Sequence, residues 1–440
     1  MNKQKLYRYI YVGIIFLFIY IPFIKLGSHT LYLPYLFPFG CTLIFFYIIF
    51  RNNSISRIFL NFVLFYWLGA IWIYLVSLYN QQLDGPILIN YIVGSFIVFS
   101  AYPIVRVLSN KITGDNTDFI IRAVYLVGLI HAFIMILAFF VPVFRTILYS
   151  IVPLGENGES FVDKMIRSPG LTTGGGDSLS VIQALALIFG IYYFAVIKRK
   201  TNIFQSLLYL FSFVILVLSI LLSARTGLVI FLAFLIYLFA YRFLRFIMRL
   251  NVNKIFVSKI FYFIIIFSII LPIGYNYLMN SEYSRFAKRA FEFYINYTEN
   301  GTASSSSTES LKQMYILPHK LPHLIFGDGN FGRNKTLPVV KSDVGYVRMI
   351  YGVGIIGTII MLLPLFYALL IAFKFYKVKR HLSILTIITI VVIFIVNVKV
   401  FYYFEFRESF KVLFLLIVSL TAVKAKKVIG STDEIPKQIV

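Results

Sequence analysis

Two arginines stand in short polar segments beside apolar runs, where each could bind a phosphate group. Arg225 lies in Ser223–Gly227, a segment predicted to open a helix, and Arg167 lies in a glycine-rich segment. A guanidinium presents a fork of N–H donors that matches phosphate oxygens, and the free amides of a helix N-terminus strengthen such a site. The alternatives are a snorkelling arginine at Arg225 and a solvated loop charge at Arg167.

Asp343, His319 and His323 are the candidate proton acceptors for a reaction at a hydroxyl group. A partly buried carboxylate before an apolar run can act as a general base, although an aspartate in that place is also a common helix N-cap. The two histidines are four residues apart, but Pro318 and Pro322 oppose a regular helix there. The identity of the general base therefore stays open among these three residues.

Three further charged residues accompany these candidates. Arg348 follows Asp343 by one turn and a little more, so it could pair with that carboxylate or bind the same phosphate. Glu405 and Arg407 lie in the last turn between apolar runs, where they would rim a cavity or simply form a polar turn. No His/Cys cluster has zinc spacing and no loop has the Gly-Lys-Ser/Thr ending of a nucleotide site. We expect no metal, no cofactor, and a donor that is already activated, such as a lipid pyrophosphate.

The composition predicts the scaffold that positions these residues. Hydrophobic residues make up 60% of the chain and charged residues 13%, whereas a soluble domain is nearer half apolar and a quarter charged. Many segments exceed about 18 apolar residues, enough to cross a bilayer as a helix. The net charge of +24 matches the positive-inside bias of cytoplasmic loops. We predict an all-α polytopic membrane protein whose partner is the lipid bilayer and not nucleic acid.

Hydropathy predicts about twelve transmembrane helices, with both termini in the cytoplasm because most Lys and Arg residues then fall in short inner segments. The predicted centres lie near residues 17, 40, 68, 96, 130, 187, 212, 235, 267, 359, 391 and 415. The long apolar run over 203–241 is split at Ser223–Gly227, where a charge and a glycine favour a turn. The single cysteine, Cys41, falls within a predicted span and excludes an internal disulfide.

Two long polar segments, 143–177 and 281–343, fall on the predicted outer side. The second lies between spans 9 and 10. It divides the chain into a membrane domain over 1–280, an outer loop with short amphipathic helices over 281–343, and a membrane domain with a cytoplasmic tail over 344–440. A basic stretch at the start of this loop is predicted to lie flat on the bilayer. Its apolar face would carry Tyr283, Phe286, Ala290 and Tyr294, and its basic face Arg285, Lys288 and Arg289. A loop of this length is usually functional, so we expect it to cap an active site.

Four short motifs, taken in this order, resemble the O-antigen polymerase and O-antigen ligase superfamily of bacterial inner membranes. They are Arg167-x-x-Gly170, Ser223-Ala-Arg-Thr-Gly227, Gly327-Asp-Gly329, and Asp343-x-Gly-Tyr346 followed by Gly352-Val-Gly354-Ile-Ile-Gly357. The resemblance covers most of the chain. It implies a fold similar to the GT-C class, a place in the bacterial cytoplasmic membrane, an undecaprenyl-diphosphate-linked glycan as donor, and no metal. It also implies that Arg167 and Arg225 hold the diphosphate.

One departure from the superfamily pattern favours polymerase over ligase. Ligases usually have a histidine near the last motif, where this chain has Asp343. We therefore expect a polymerase of lipid-linked oligosaccharide repeat units for a surface polysaccharide, such as an O-antigen or a capsule. The alternatives are a ligase that moves finished glycan to another acceptor and a flippase for the lipid-linked unit. A separate flippase and a chain-length regulator are further candidate partners.

Overall fold

The computed structural model describes residues 3–52, 55–82, 84–111, 116–198, 202–247, 275–302, 305–333, 337–403 and 408–421. The first part contains α1 (Lys3–Tyr20), β1 (Ile24–Leu26), β2 (His29–Leu31), α2 (Leu33–Asn52), α3 (Arg57–Asn80), α4 (Gly85–Lys111), α5 (Asn116–Phe140), α6 (Pro142–Ile151), α7 (Glu156–Asp163) and α8 (Asp177–Tyr192). A π-helical turn, Tyr193–Ile197, ends α8. There follow α9 (Ile203–Ser223), α10 (Arg225–Ile247), α11 (Ser284–Ala290), α12 (Glu292–Asn300), α13 (Ser306–Gln313), α14 (Leu321–Phe326), α15 (Gly345–Phe375), α16 (Arg380–Asn397) and α17 (Glu408–Thr421).

Eight of the described helices are long and apolar enough to cross a membrane. They contain the predicted centres at 40, 68, 96, 130, 187, 212, 359 and 391. The centres at 17, 235 and 415 lie in α1, α10 and α17, which are not among these eight, and the centre at 267 lies outside the described residues. The chain therefore has the architecture of an all-α multi-pass membrane protein.

Helix α8 lies at the centre of the bundle. Apart from Asp177, every residue of this 16-residue helix is buried, as expected for a helix that is apolar on all sides. It packs against α5, α9, α10 and α17. At the periphery, α2 and α3 leave large apolar side chains such as Phe50 and Tyr79 exposed, in agreement with contact with lipid. The residues that begin α8 are consequently held by a helix that is packed on all sides.

The predicted break between the seventh and eighth spans is confirmed. Helix α9 ends at Ser223, Ala224 is extended, and α10 begins at Arg225. The Gly227 amide donates to the Ser180 hydroxyl (3.1 Å), and a Cβ at Gly227 would overlap the Ser180 carbonyl. Only a glycine therefore allows the start of α10 to approach α8 this closely.

Helix α15 is interrupted at Gly354, whose φ of 68° and ψ of −176° are not helical. The interruption exposes three carbonyl groups, and each one accepts a hydrogen bond from outside the helix. Tyr351 accepts from the Asp328 amide (2.8 Å), Gly352 from the Gly329 amide (3.0 Å) and Val353 from the Trp72 indole (3.2 Å). Broken membrane helices are tolerated where the freed backbone groups are satisfied in this way. The break thus docks the Gly327–Gly329 turn onto α15.

Several helix termini and both long loops meet at one end of the bundle, which we call the loop end. Lys399, just after α16, contacts Asp177 at the start of α8 (3.2 Å). The Asn80 amide at the end of α3 donates to the Gly327 carbonyl (3.3 Å), and the Ser168 amide donates to the Leu222 carbonyl (3.0 Å). The loop end therefore gathers the segments that carry the four sequence motifs.

The basic stretch of the large loop buries the first part of the aromatic face that was predicted to contact the bilayer, whereas Tyr294 stays exposed. Phe286 of α11 is buried, and its ring lies 5.3 Å from the Phe139 ring at the end of α5. Tyr283 packs on Phe139 and Phe140 at 5.5 and 5.0 Å. Tyr283 and Phe286 therefore bury their apolar surface against the end of α5.

Candidate functional site

Arg225, the first residue of α10, faces the large loop at the loop end. Its Nη1 lies 2.5 Å from Glu292 Oε2, and its Nη2 donates to the Ser307 hydroxyl (3.2 Å). The guanidinium also lies 5.3 Å from the centre of the Phe293 ring. The side chain is only 14% exposed. Arg225 is therefore a fixed, partly desolvated cation whose present counter-ion is the carboxylate of a loop helix.

Arg167 stacks on an aromatic ring beside the N-terminus of α8. Its guanidinium carbon lies 4.4 Å from the Phe161 ring centre, and its Nε is a buried donor without a partner among the described residues. A Cβ at Gly176 would lie 3.2 Å from Arg167 Nη1. Arg289 of α11 approaches the same Phe161 ring at 5.6 Å. Two arginines from different loops thus converge on one side chain.

A third set of polar groups joins α8 to α10. Thr226 donates a short hydrogen bond to Asp177 Oδ1. Lys399 Nζ lies 3.2 Å from the same oxygen and 2.6 Å from the Thr226 hydroxyl. Asp177 follows Gly176 and Thr226 follows Arg225, so these contacts tie the two arginine segments to each other. They also bring a fourth cation to the loop end.

We call Arg167, Arg225, Arg289 and Lys399 the cationic cluster. Among the described residues, these four cations pair with two carboxylates, Glu292 and Asp177, so the cations outnumber the carboxylates paired with them. Burial lowers the pKa of Arg289, and Glu292 partly offsets that effect. An anion that entered would relieve the cost of desolvating these guanidinium groups. The arrangement suits a phosphate or diphosphate, for which arginine forks are well matched.

A buried histidine anchors the segment that carries Arg167. His131 of α5 has no exposed surface and stacks on Tyr20, with ring centres 4.1 Å apart. Its Nε2 accepts from the Leu171 amide (3.2 Å), and its Nδ1 lies 3.0 Å from the Gln183 side-chain amide. Gly170, with a φ of +60°, has no room for a Cβ against the His131 ring. The Arg167-x-x-Gly170 motif therefore packs against the buried His131 at Gly170.

A cavity of about 440 Å³, lined by both polar and apolar side chains, opens beside the broken helix α15. This volume lies within the range of small-molecule sites, roughly 300–1,000 Å³. Its wall includes the polar side chains of Gln82, His323, Asp328, Lys341, Ser342 and Tyr351. The cavity is thus formed by the end of α3, the large loop and α15 together.

The turn that carries Asp328 is rigid. Gly327 and Gly329 both have a φ of +85°, and a Cβ at Gly327 would lie 2.5 Å from Val353 Cα. The Asn330 amide donates to Asp328 Oδ1 (2.9 Å), which fixes the carboxylate. Burial raises the pKa of Asp328, whereas the Asn330 hydrogen bond and the nearby His323 lower it. Asp328 is consequently a half-buried acid held in one orientation.

The predicted proton acceptors end up in different environments. His323 lines the cavity. Asp343 is 67% exposed and accepts from Arg348 Nη2 (3.0 Å), which confirms the ion pair expected from their spacing. Arg348 also donates through Nε to the Ser342 carbonyl. His319 is exposed on the loop, and Glu405 and Arg407 lie outside the described residues.

The structure adds site residues that sequence reasoning did not select. Asp328 was visible only as the middle of a Gly-Asp-Gly motif, and its two glycines were the signal that a strained turn holds it. Arg289 looked like one charge of an amphipathic helix, and Lys399 looked like a cation in a short turn. The roles of Arg289 and Lys399 depend on contacts with Phe161 and Asp177, which lie more than a hundred residues away in the chain. No local pattern encodes such contacts.

Fold and site together define a multi-pass membrane protein with a cationic cluster and a cavity at one end of its helix bundle. Within the described ranges, no group of three or more His, Cys, Asp or Glu side chains is placed to hold a metal ion. Comparisons with models of known protein families, with curated proteins and with solved structures found no match.

Proposed function

We propose that the protein polymerises undecaprenyl-diphosphate-linked oligosaccharide repeat units of a surface polysaccharide at the outer face of the bacterial cytoplasmic membrane. The observation that supports this most is the position of the cationic cluster next to a cavity with polar and apolar lining at the loop end of an apolar bundle. The segment after α16 connects them. Its Lys399 belongs to the cluster, and its Phe401 amide donates to the Asp343 carbonyl (2.8 Å) beside the cavity-lining Ser342.

In this proposal the growing glycan enters as the donor with its diphosphate on the cationic cluster. The diphosphate replaces Glu292 as the counter-ion of Arg225 and takes the unpartnered Nε of Arg167. A sugar hydroxyl of the incoming lipid-linked unit attacks the donor's anomeric carbon. A new glycosidic C–O bond forms, the bond to the diphosphate oxygen breaks, and undecaprenyl diphosphate leaves with the electron pair. Fixed cations aimed at the leaving group commonly supply the largest share of such catalysis.

The proposed orientation places the loop end outside the cell, with twelve spans and both termini in the cytoplasm. It can be tested in a Cys41→Ser background with a single cysteine at Thr302, which is exposed in the large loop. We expect Thr302→Cys to react with an impermeant thiol reagent added to intact cells. Lys377→Cys, exposed between α15 and α16 at the opposite end, should react only in inverted vesicles. The reverse pattern would overturn the orientation and the outer-face reaction.

The proposed activity is tested by deleting the gene and measuring the size and lipid linkage of the surface glycan. Single repeat units that still reach the surface are expected, because the step lost is chain growth. Long chains that stay on undecaprenyl diphosphate would instead identify a ligase, and repeat units trapped inside would identify a flippase. Unchanged glycan would refute all three.

A further inference from the structure

The cavity holds a carboxylate whose geometry suits proton transfer. Two backbone hydrogen bonds hold the turn at Asp328. The Asp328 amide donates to the Tyr351 carbonyl (2.8 Å), and the Gly329 amide donates to the Gly352 carbonyl (3.0 Å). Two positive-φ glycines flank it and pack too closely for side chains. A reacting group held on a rigid turn loses little freedom when substrate binds.

One carboxylate oxygen is engaged and the other is available. Oδ1 accepts from the Asn330 amide (2.9 Å), and Asn330 is itself fixed by its side-chain amide, which donates to the Pro338 carbonyl (2.7 Å). Oδ2 has no hydrogen bond to another described residue. By contrast, Asp343 is largely exposed and already paired with Arg348.

Three other titratable groups share the cavity wall with Asp328. His323 comes from α14, Tyr351 from α15 and Lys341 from the segment before α15. Burial raises the pKa of Asp328, whereas the nearby His323 lowers it. A base is most effective when its pKa is drawn toward the working pH.

We propose that Asp328, with His323 beside it, is the catalytic base of the transfer, and that the 440 Å³ cavity is the subsite for the acceptor sugar. The inference rests on the proposed function. As the hydroxyl oxygen of the acceptor bonds to the anomeric carbon, its proton passes to Asp328 Oδ2. The electron pair of the broken bond leaves with the diphosphate on the cationic cluster. The cavity thus takes a neutral, hydroxyl-bearing ring, and the cluster takes the charge.

The test uses the full-length protein, purified and returned to liposomes. The probe is the lipid-linked repeat unit extracted from the deletion strain, and chain growth is measured on a gel. Asp328→Asn keeps an oxygen for the Asn330 amide, so the turn and the melting temperature should be preserved while the rate falls about 100-fold or more. Asp163→Asn, the same change at an exposed carboxylate, should leave the rate unchanged. A rate for Asp328→Asn above one tenth of that of the wild type would overturn the assignment.

His323→Gln gives a second, independent readout from the pH profile. The base must be ionised, so the rate falls as the pH drops through the pKa of Asp328. Loss of the imidazole removes an interaction that lowers this pKa, so the acid limb should move to higher pH. An unmoved limb contradicts the inference even if Asp328→Asn fails to fold. If the wild-type protein does not extend the extracted unit, the proposed function itself fails. If the wild-type protein extends the unit but the Asp328 and His323 variants do not behave as expected, the inference about the base is wrong and the proposed polymerase function is unaffected.

Discussion

Replacement of Arg225 by alanine is expected to reduce chain growth by about 100-fold or more, which matches the usual effect of removing one preorganised charge-stabilising group. Arg225 is the cluster member whose counter-ion comes from a loop helix, and its guanidinium is held by Glu292 and Ser307 at 2.5 and 3.2 Å. The measurement is the glycan length in a deletion strain that carries the variant, with the amount of protein in the membrane as a reference.

Two control variants separate phosphate binding from a structural role of Arg225. Glu292→Ala removes the same ion pair but keeps the arginine, so it should retain far more chain growth than Arg225→Ala. Arg285→Ala removes an exposed arginine from α11 and should behave as wild type. Equal losses of chain growth in Arg225→Ala and Glu292→Ala would show that the ion pair acts by holding the loop. Full chain length in Arg225→Ala would exclude Arg225 from the diphosphate site.

Replacement of Gly354 by alanine is expected to lower the stability of the folded protein more than any of the other proposed substitutions. The φ of +68° with an extended ψ is a conformation that only glycine adopts easily, and the strain costs about 1–3 kcal/mol. The new Cβ would also overlap the Ile325 carbonyl at the end of α14, which adds about 1–3 kcal/mol of overpacking. We expect a lower melting temperature in detergent, and faster proteolysis of the loop that docks on α15.

Gly301→Ala is the control for a positive φ alone. Gly301 has a φ of 67°, but its ψ of 7° places it in the left-handed helical region, which other residues enter at a lower cost than the extended ψ of Gly354. No atom lies within 4 Å of the position of its Cβ, so this variant reports the cost of a positive φ without the collision and without the extended ψ. If Gly354→Ala melts no earlier than Gly301→Ala, the turn is not clamped between α14 and the break in α15, and the rigid placement of Asp328 would have to be abandoned.

Much of the scaffold could be predicted from local patterns, because the bilayer imposes a simple rule on sequence. A segment of about 18 apolar residues must satisfy its own backbone as a helix, so eight long apolar helices were predictable from hydropathy alone. The break at Ala224 followed from a charge and a glycine in one short segment. The Arg348–Asp343 ion pair followed from their spacing at the start of a helix.

The sequence by itself therefore determined the apolar helices, the polar segments between them, and the arginines that a phosphate would need. Only the tertiary structure decided which of these polar groups meet. Arg289 reaches the ring under Arg167 because α11 packs on α5. Asp328 is fixed because the carbonyls freed at Gly354 accept the amides of its turn. The first contact joins segments far apart in the chain, and the second joins a loop turn to the break in a helix. The energy of both contacts comes from burial and from paired backbone groups, which leave no period or spacing in the local sequence.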